Sequence, residues 1–287
     1  MSILVTGADG QVGRELVARS LPGETVATTR KVLDIANADA VAATIARCRP
    51  LAVINAAAYT AVDKAENEPA AAYAANRDGP AVLARACADA EIPLLHLSTD
   101  YVFDGTKSEP YTEQCPTNPL GVYGQSKWEG EEAIRRYLPQ HVILRVSWVF
   151  GAYGNNFVRT MLRLGQERDE LRVVADQRGA PTYAGAIAEA LLAVARKLPS
   201  DLPWGTYHYT GAPATTWHGF AQVLFDEAVS LGLLNRKPVV HAITTAEYPT
   251  PARRPENSEL GSVALQNLAL NPMPWIDGLR ETLSAWK

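Results

Sequence analysis

Tyr123 and Lys127 stand four residues apart in Tyr123–Gly124–Gln125–Ser126–Lys127, within a stretch rich in Glu, Lys and Arg that follows Pro116, Pro119 and Gly121. That composition predicts a helix over 123–136. On a helix, positions i and i+4 share a face, so the phenol and the ammonium project into one space. A free phenol titrates near about pH 10, and an ammonium beside it is expected to lower that value. The pair suits a general acid that protonates a carbonyl oxygen while another group delivers hydride. Upstream, the apolar run 93–97 delivers Ser98–Thr99–Asp100–Tyr101, and the Thr99 hydroxyl is expected to hydrogen-bond the same oxygen.

These residues need a scaffold. Ile3–Thr6 reads as a buried parallel strand. It runs into Gly7–Ala8–Asp9–Gly10–Gln11–Val12–Gly13 and then a helical pattern. Strand, glycine turn and helix place a pyrophosphate on a helix N-terminus, where backbone N–H groups and the helix dipole favour an anion. Further strands are predicted at 24–29, 51–54, 93–97 and 142–146, with helices at 41–47 and 69–89 between them. This alternation predicts an α/β fold, a doubly wound parallel sheet of the Rossmann kind. The third strand ends in Asn55–Ala56–Ala57–Ala58–Tyr59–Thr60. Small residues such as Ala57 leave room for a cofactor at the carboxyl edge. Arg30 and Lys31 follow the second strand, where NAD sites commonly carry a carboxylate. A guanidinium there meets a 2′-phosphate, so NADP(H) is preferred and NAD(H) stays open; a solvated turn is the plainer reading.

From Gly151 the pattern loosens, with helices expected at 158–166 and 216–231 and short strands at 171–174 and 205–209. Residues 1–150 are read as the dinucleotide-binding domain, joined again by 171–197. The remainder of 151–287 is read as a smaller C-terminal substrate lobe. The chain has 287 residues, 20% charged, with a net charge of −4 and a pI near 5.8. It lacks the basic surplus that nucleic acid or an anionic membrane requires. No apolar run approaches the roughly 18–20 residues of a membrane span, and no signal-peptide pattern opens the sequence. Cys48, Cys87 and Cys115 have neither disulfide nor zinc spacing, which favours reduced thiols in a cytoplasmic protein. His208, His218 and His241 have no ligand spacing and read as structural.

The glycine turn, Asn55–Ala56–Ala57–Ala58, Ser98–Thr99–Asp100 and the Tyr123/Lys127 pair, in this order, resemble the extended short-chain dehydrogenase/reductases, and within them the sugar-nucleotide ketoreductases. Ser147–Trp148, Gly154–Asn155–Asn156–Phe157, Asp176–Gln177–Arg178–Gly179 and Tyr248–Pro249–Thr250–Pro251 extend the likeness through the second half. The resemblance implies Thr99, Tyr123 and Lys127 as a catalytic trio, with Tyr123 protonating a C4 ketone. Lys127 would hold the nicotinamide ribose and tune the phenol. Thr99, Asp100, Tyr101 and Trp148 would line the sugar pocket. Gly10, Gln11, Val12, Asp34, Ile35, Ala58, Tyr59 and Thr60, with Leu97, fall at cofactor positions. Asp63 and Glu66 read as capping or solvating their own helix. The alternatives are an epimerase or dehydratase on the same fold, or a non-catalytic nucleotide-binding subunit. Tyr101 stands where the dehydratases carry a glutamate, and the Tyr/Lys pair is retained.

The resemblance also implies a magnesium ion bridging two subunits through three glutamates. Glu15 matches the first position, but Gly185 and Ile276 stand at the other two. Magnesium prefers six oxygen ligands, so no metal is expected, and the chain is read as a monomer or metal-independent homodimer. Glu189 and Asp277 are the nearest compensating carboxylates.

Overall fold

The computed structural model describes residues 2–198 and 202–287. The chain opens β1 (Ile3–Thr6), α1 (Gln11–Arg19), β2 (Thr25–Thr28), α2 (Ala38–Cys48), β3 (Ala52–Asn55) and the short α3 (Val62–Ala65). Then come α4 (Pro69–Tyr73), a π-turn (Ala74–Asp78), α5 (Gly79–Asp89), β4 (Leu94–Thr99), α6 (Val122–Tyr137), β5 (His141–Val146) and β6 (Val149–Phe150). The second half holds α7 (Phe157–Glu167), β7 (Glu170–Val174), β8 (Arg178–Gly179), β9 (Thr182–Tyr183), α8 (Ala184–Ala195) and β10 (Gly205–His208). It closes with β11 (Thr215–Thr216), α9 (Trp217–Ser230), β12 (Val239–Ile243) and α10 (Trp275–Ser284).

Six parallel strands form the main sheet in the order β10-β5-β4-β3-β1-β2. Successive side chains of a strand point to opposite faces, and here both faces are covered. Ile3, Val5, Ile54, Leu95 and Leu144 enter one core with Leu16 of α1 and Ile187 of α8. Leu4, Val53, Leu94 and Ile143 enter the other with Ile45 of α2, Leu83 of α5 and Ile134 of α6. That is why these strands read as continuous apolar runs. The strand order reverses at β1, so the carboxyl edge between β1 and β3 is the crevice where ligands of open α/β sheets bind.

Two readings of the sequence meet a different arrangement. The sixth strand, β10, comes from beyond residue 200 and pairs with β5. Of the segment 171–197, β7 pairs with β12 in a separate sheet, while α8 packs on α1. The long helix read over 69–89 is interrupted by the π-turn. Pro80 explains the break: it has no N–H to donate, and its ring opposes the carbonyl of residue 76 in an α-helical register.

Candidate active site

The carboxyl edge collects the expected residues. Gly7 has φ +71°, and a Cβ there would come within 2.5 Å of the Ala57 backbone. A Cβ on Gly13 would collide with the Gly7 carbonyl. Only glycine permits this close turn against the β3 loop. Gln11 and Val12 begin α1, and Gln11 Oε1 accepts a hydrogen bond from Asn156 Nδ2 at 3.0 Å. Arg30 and Lys31 are exposed just past the rung that pairs Thr6 with Thr28. Asp34 is exposed and accepts from the Ala36 N–H at 3.0 Å, a local turn; Ile35 is buried.

Thr99, Tyr123 and Lys127 converge. The Thr99 hydroxyl donates to Asp100 Oδ1 at 3.0 Å and accepts from the Tyr101 N–H at 3.2 Å. It also neighbours the Tyr123 phenol. Tyr101 and Tyr123 meet edge to face, with ring centroids 5.6 Å apart. Burial pushes the Tyr123 phenol well above its ordinary value, and the neighbouring Thr99 hydroxyl opposes this only in part. The expected lowering by Lys127 is therefore corrected. Lys127 Nζ donates instead to the Leu97 carbonyl at 2.6 Å and lies 3.3 Å from His96 Nε2. Burial brings its pKa down to about 8, against the pull of Glu131. A phenol that keeps its proton is the correct form for an acid.

Asp100 is 2% exposed, and burial pushes its carboxyl up to about 6, against the Ser258 and Thr99 hydroxyls beside it. Among the described residues Asp100 Oδ2 has no well-formed hydrogen bond. The Ser258 hydroxyl faces the carboxylate but also reaches the Arg178 carbonyl, at 3.4 Å. A buried carboxylate oxygen left over in this way suits a hydroxyl donor on a ligand.

Trp148 sits at φ +45°, a strained conformation for a large side chain. Its indole lies parallel to that of Trp217, centroids 3.7 Å apart, over Gly179, where a Cβ would come within 2.6 Å of it. Trp217, Phe157, Tyr101, Thr60 and Arg254 line one cavity of about 1220 Å³ that opens from the crevice between sheet and lobe.

Four contributors escaped the sequence reading. Asn76, in the π-turn, donates to the Tyr59 carbonyl at 3.0 Å and accepts from the Tyr59 N–H at 2.8 Å. It also donates to Ser126 Oγ, which donates in turn to the Tyr123 carbonyl. Asn76 thereby ties the Ala58–Thr60 loop to the first turn of α6. Its one signal was Pro80 inside a helical run. Glu66 caps α6, since Oε1 accepts the Val122 N–H at 2.9 Å; a Cβ on Gly121 would come within 2.5 Å of that oxygen. Asp63 pairs with Arg254 at 2.8 Å, and Arg254 donates to the Tyr101 phenol at 3.2 Å. Both carboxylates were read as serving their own helix, and both reach across the site instead. Glu131, one turn beyond Lys127, is bidentate to Arg145 at 2.9 and 2.6 Å. None of these partners is close in sequence.

The carboxylates that a bridging metal would need here do not fit one. Arg19 donates to Glu15 at 3.0 Å, to Tyr183 at 2.9 Å and to Glu281 at 3.4 Å, and it also pairs with Glu189. A side chain at Gly185 would run into the Arg19 guanidinium. A fixed cation of the chain itself already occupies the centre of these carboxylates.

A parallel sheet reversing at β1, a glycine turn beneath it and a Thr/Tyr/Lys trio at its edge define an extended short-chain dehydrogenase/reductase. Within that class, the chain belongs to the family described as the RmlD substrate binding domain, which matches residues 1–287. It is 47% identical over 284 residues to the dTDP-4-dehydrorhamnose reductase of Aggregatibacter actinomycetemcomitans, covering 97% of each chain. It is 41% identical over 293 residues to that of Escherichia coli K12, covering 99% of this chain and 97% of the relative. Its fold superposes on the crystal structure of the Bacillus anthracis reductase in complex with NADP. There the TM-score is 0.92 at 36% identity, covering 99% of this chain and 100% of that one. Among the described residues, no helix is long and apolar enough to cross a membrane.

Proposed function

We propose that this chain reduces the C4 ketone of dTDP-4-dehydro-L-rhamnose to the alcohol of dTDP-L-rhamnose, with Tyr123 as proton donor. What carries the reading is the Thr99–Tyr123–Lys127 cluster at the carboxyl edge, in a chain matched end to end by reductases of that name. Gly7, Gly10, Gln11, Val12 and Gly13 cradle the pyrophosphate of the cofactor, and Ala57, Ala58, Tyr59, Thr60 and Leu97 flank its remainder. When bound, the reduced nicotinamide supplies the hydride. Thr99 and Tyr123 hold the ketone oxygen, and Lys127 holds the nicotinamide ribose. Asp100 and Trp148 position the sugar, and Tyr101 closes its side of the pocket. The aromatic and arginine-bearing cavity accommodates a nucleoside diphosphate. Burial and the neighbouring Asp100 keep the Tyr101 phenol protonated despite Arg254, so it is no base for eliminating water. This favours reduction over the dehydratase alternative.

The direct assay mixes purified protein, NADPH and dTDP-4-dehydro-L-rhamnose and follows the nicotinamide absorbance. Consumption of NADPH matching product formation is expected. A protein that binds NADPH without consuming it would instead be the nucleotide-binding subunit.

NADPH is preferred, through Arg30. Arg30→Ala is expected to raise KM for NADPH several-fold more than KM for NADH, since only NADPH carries the 2′-phosphate. Equal effects on the two would make Arg30 a bystander. The chain is a monomer or a metal-independent dimer, because Arg19 stands where a bridging cation would sit. Activity and mass by light scattering are expected to be the same in EDTA and in magnesium. A dimer that dissociates on chelation would contradict this.

A further inference from the structure

We infer that His96 is fixed as its Nε2–H tautomer against Lys127, and as a positioning residue holds the Lys127 side chain between its ammonium and amine forms. The inference rests on the role proposed above for Lys127, but the tautomer itself stands on geometry alone.

Thr6, Asn55 and His96 are register partners across β1, β3 and β4, so their side chains lie side by side on one face of the sheet. Thr6 Oγ1 donates to Asn55 Oδ1 at 2.7 Å. The Ala57 N–H approaches the same atom at 3.1 Å. A backbone N–H can only donate, so the atom facing it is the carbonyl oxygen, and the orientation of the Asn55 amide is settled. Asn55 Nδ2 is then the donor toward His96 Nδ1, 2.9 Å away. His96 is fully buried, and burial, reinforced by Lys127 and His141, pushes its pKa far down. It is therefore neutral, with one ring nitrogen accepting and the other carrying the proton. Since Nδ1 accepts, the proton is on Nε2.

That N–H faces Lys127 Nζ at 3.3 Å. An ammonium offers only hydrogens to it, whereas an amine offers a lone pair. The Leu97 carbonyl takes one hydrogen of Nζ in either form. The other ionisable groups acting at this point are Glu131 on α6, toward Lys127, and His141 on β5, toward His96. Glu131 favours the ammonium, but Arg145 and Arg135 already neutralise it. The His96 N–H adds to burial on the side of the amine. The lysine thus changes charge near the working pH range rather than far above it.

Two measurements test this. In a sequence-specifically assigned long-range proton–nitrogen spectrum of the full chain, His96 should show an Nε2–H imidazole that does not change between pH 6 and 8. A proton on Nδ1, or an imidazolium, would overturn the inference whether or not the chain proves to be a reductase. The second is the pH profile of kcat/KM in His96→Gln, whose side-chain oxygen can accept from Nζ and so favours the ammonium. The alkaline limb should move up by about one pH unit, with the NADPH Kd at pH 7 little changed. A limb left in place in a folded His96→Gln protein, or one lost together with NADPH binding, would overturn it. Should that variant not fold, the tautomer spectrum of the unmodified protein decides alone.

Discussion

Tyr123→Phe is expected to lower kcat by roughly 10²- to 10⁴-fold, the contribution of a positioned general acid, while the Kd for NADPH stays near its original value. The change removes one oxygen and nothing else of the ring, so the edge-to-face contact with Tyr101 survives. Thr99 remains beside the reacting oxygen, but it cannot replace the lost proton source, because an aliphatic hydroxyl is a far weaker acid than a phenol. Burial holds the Tyr123 phenol protonated, so the native acid is in its active form throughout the neutral range. Single-turnover reduction and cofactor fluorescence titration separate the two quantities. A kcat unchanged in Tyr123→Phe would remove the phenol from the reaction.

Glu131→Gln is expected to cost about 3–5 kcal/mol of stability, the range for breaking a buried ion pair from one side. Glu131 is fully buried and Arg145 is 2% exposed, so Gln would leave a guanidinium without its countercharge. His208, 3.4 Å away, is held neutral with its pKa down to about 3, by burial first and then by Arg145. It supplies no negative charge. Burial works to raise the Glu131 carboxyl, but Arg145 and then Arg135 prevail and bring it down to about 2. A carboxyl held below its unfolded value stabilises the fold fully above that value, and the contribution fades as pH falls toward the folded one. The native protein should therefore lose this stability between about pH 4.5 and 2, and the deficit of Glu131→Gln should narrow over the same interval. Urea denaturation at pH 7 and at pH 3.5 measures both. A deficit under about 1 kcal/mol, the size of an exposed pair, would mean that the pair does not fasten α6 to β5.

The acid-site lysine illustrates how far spacing reasons correctly. The i, i+4 rule placed Tyr123 and Lys127 on one helix face, and they lie there. It did not foresee that Lys127 would be engaged by Leu97 and His96, since both come from β4 and are met only when helix and sheet pack. The phenol's proton affinity followed burial rather than the neighbouring charge, and burial belongs to the folded chain. Asp63 and Glu66 show the same limit. Each is a plausible helix cap in sequence, yet Glu66 caps a helix 56 residues on and Asp63 holds an arginine 191 residues on.

The sequence by itself determined what is local or periodic. The glycine turn, the apolar runs that must be buried on both faces, the small residues after β3 and the Tyr/Lys pair are read within a few residues of one another. Their chemistry follows from residue type. The tertiary structure alone decided the long-range partners: Asn76 on Tyr59 and Ser126, Arg254 between Asp63 and Tyr101, Trp148 on Trp217, and Arg19 on Tyr183, Glu189 and Glu281. It also brought Gly205–His208 into the main sheet and paired β7 with β12. These contacts join positions tens to hundreds of residues apart. Each side chain has many acceptable partners in the unfolded chain, and only the packing of both sheet faces selects among them.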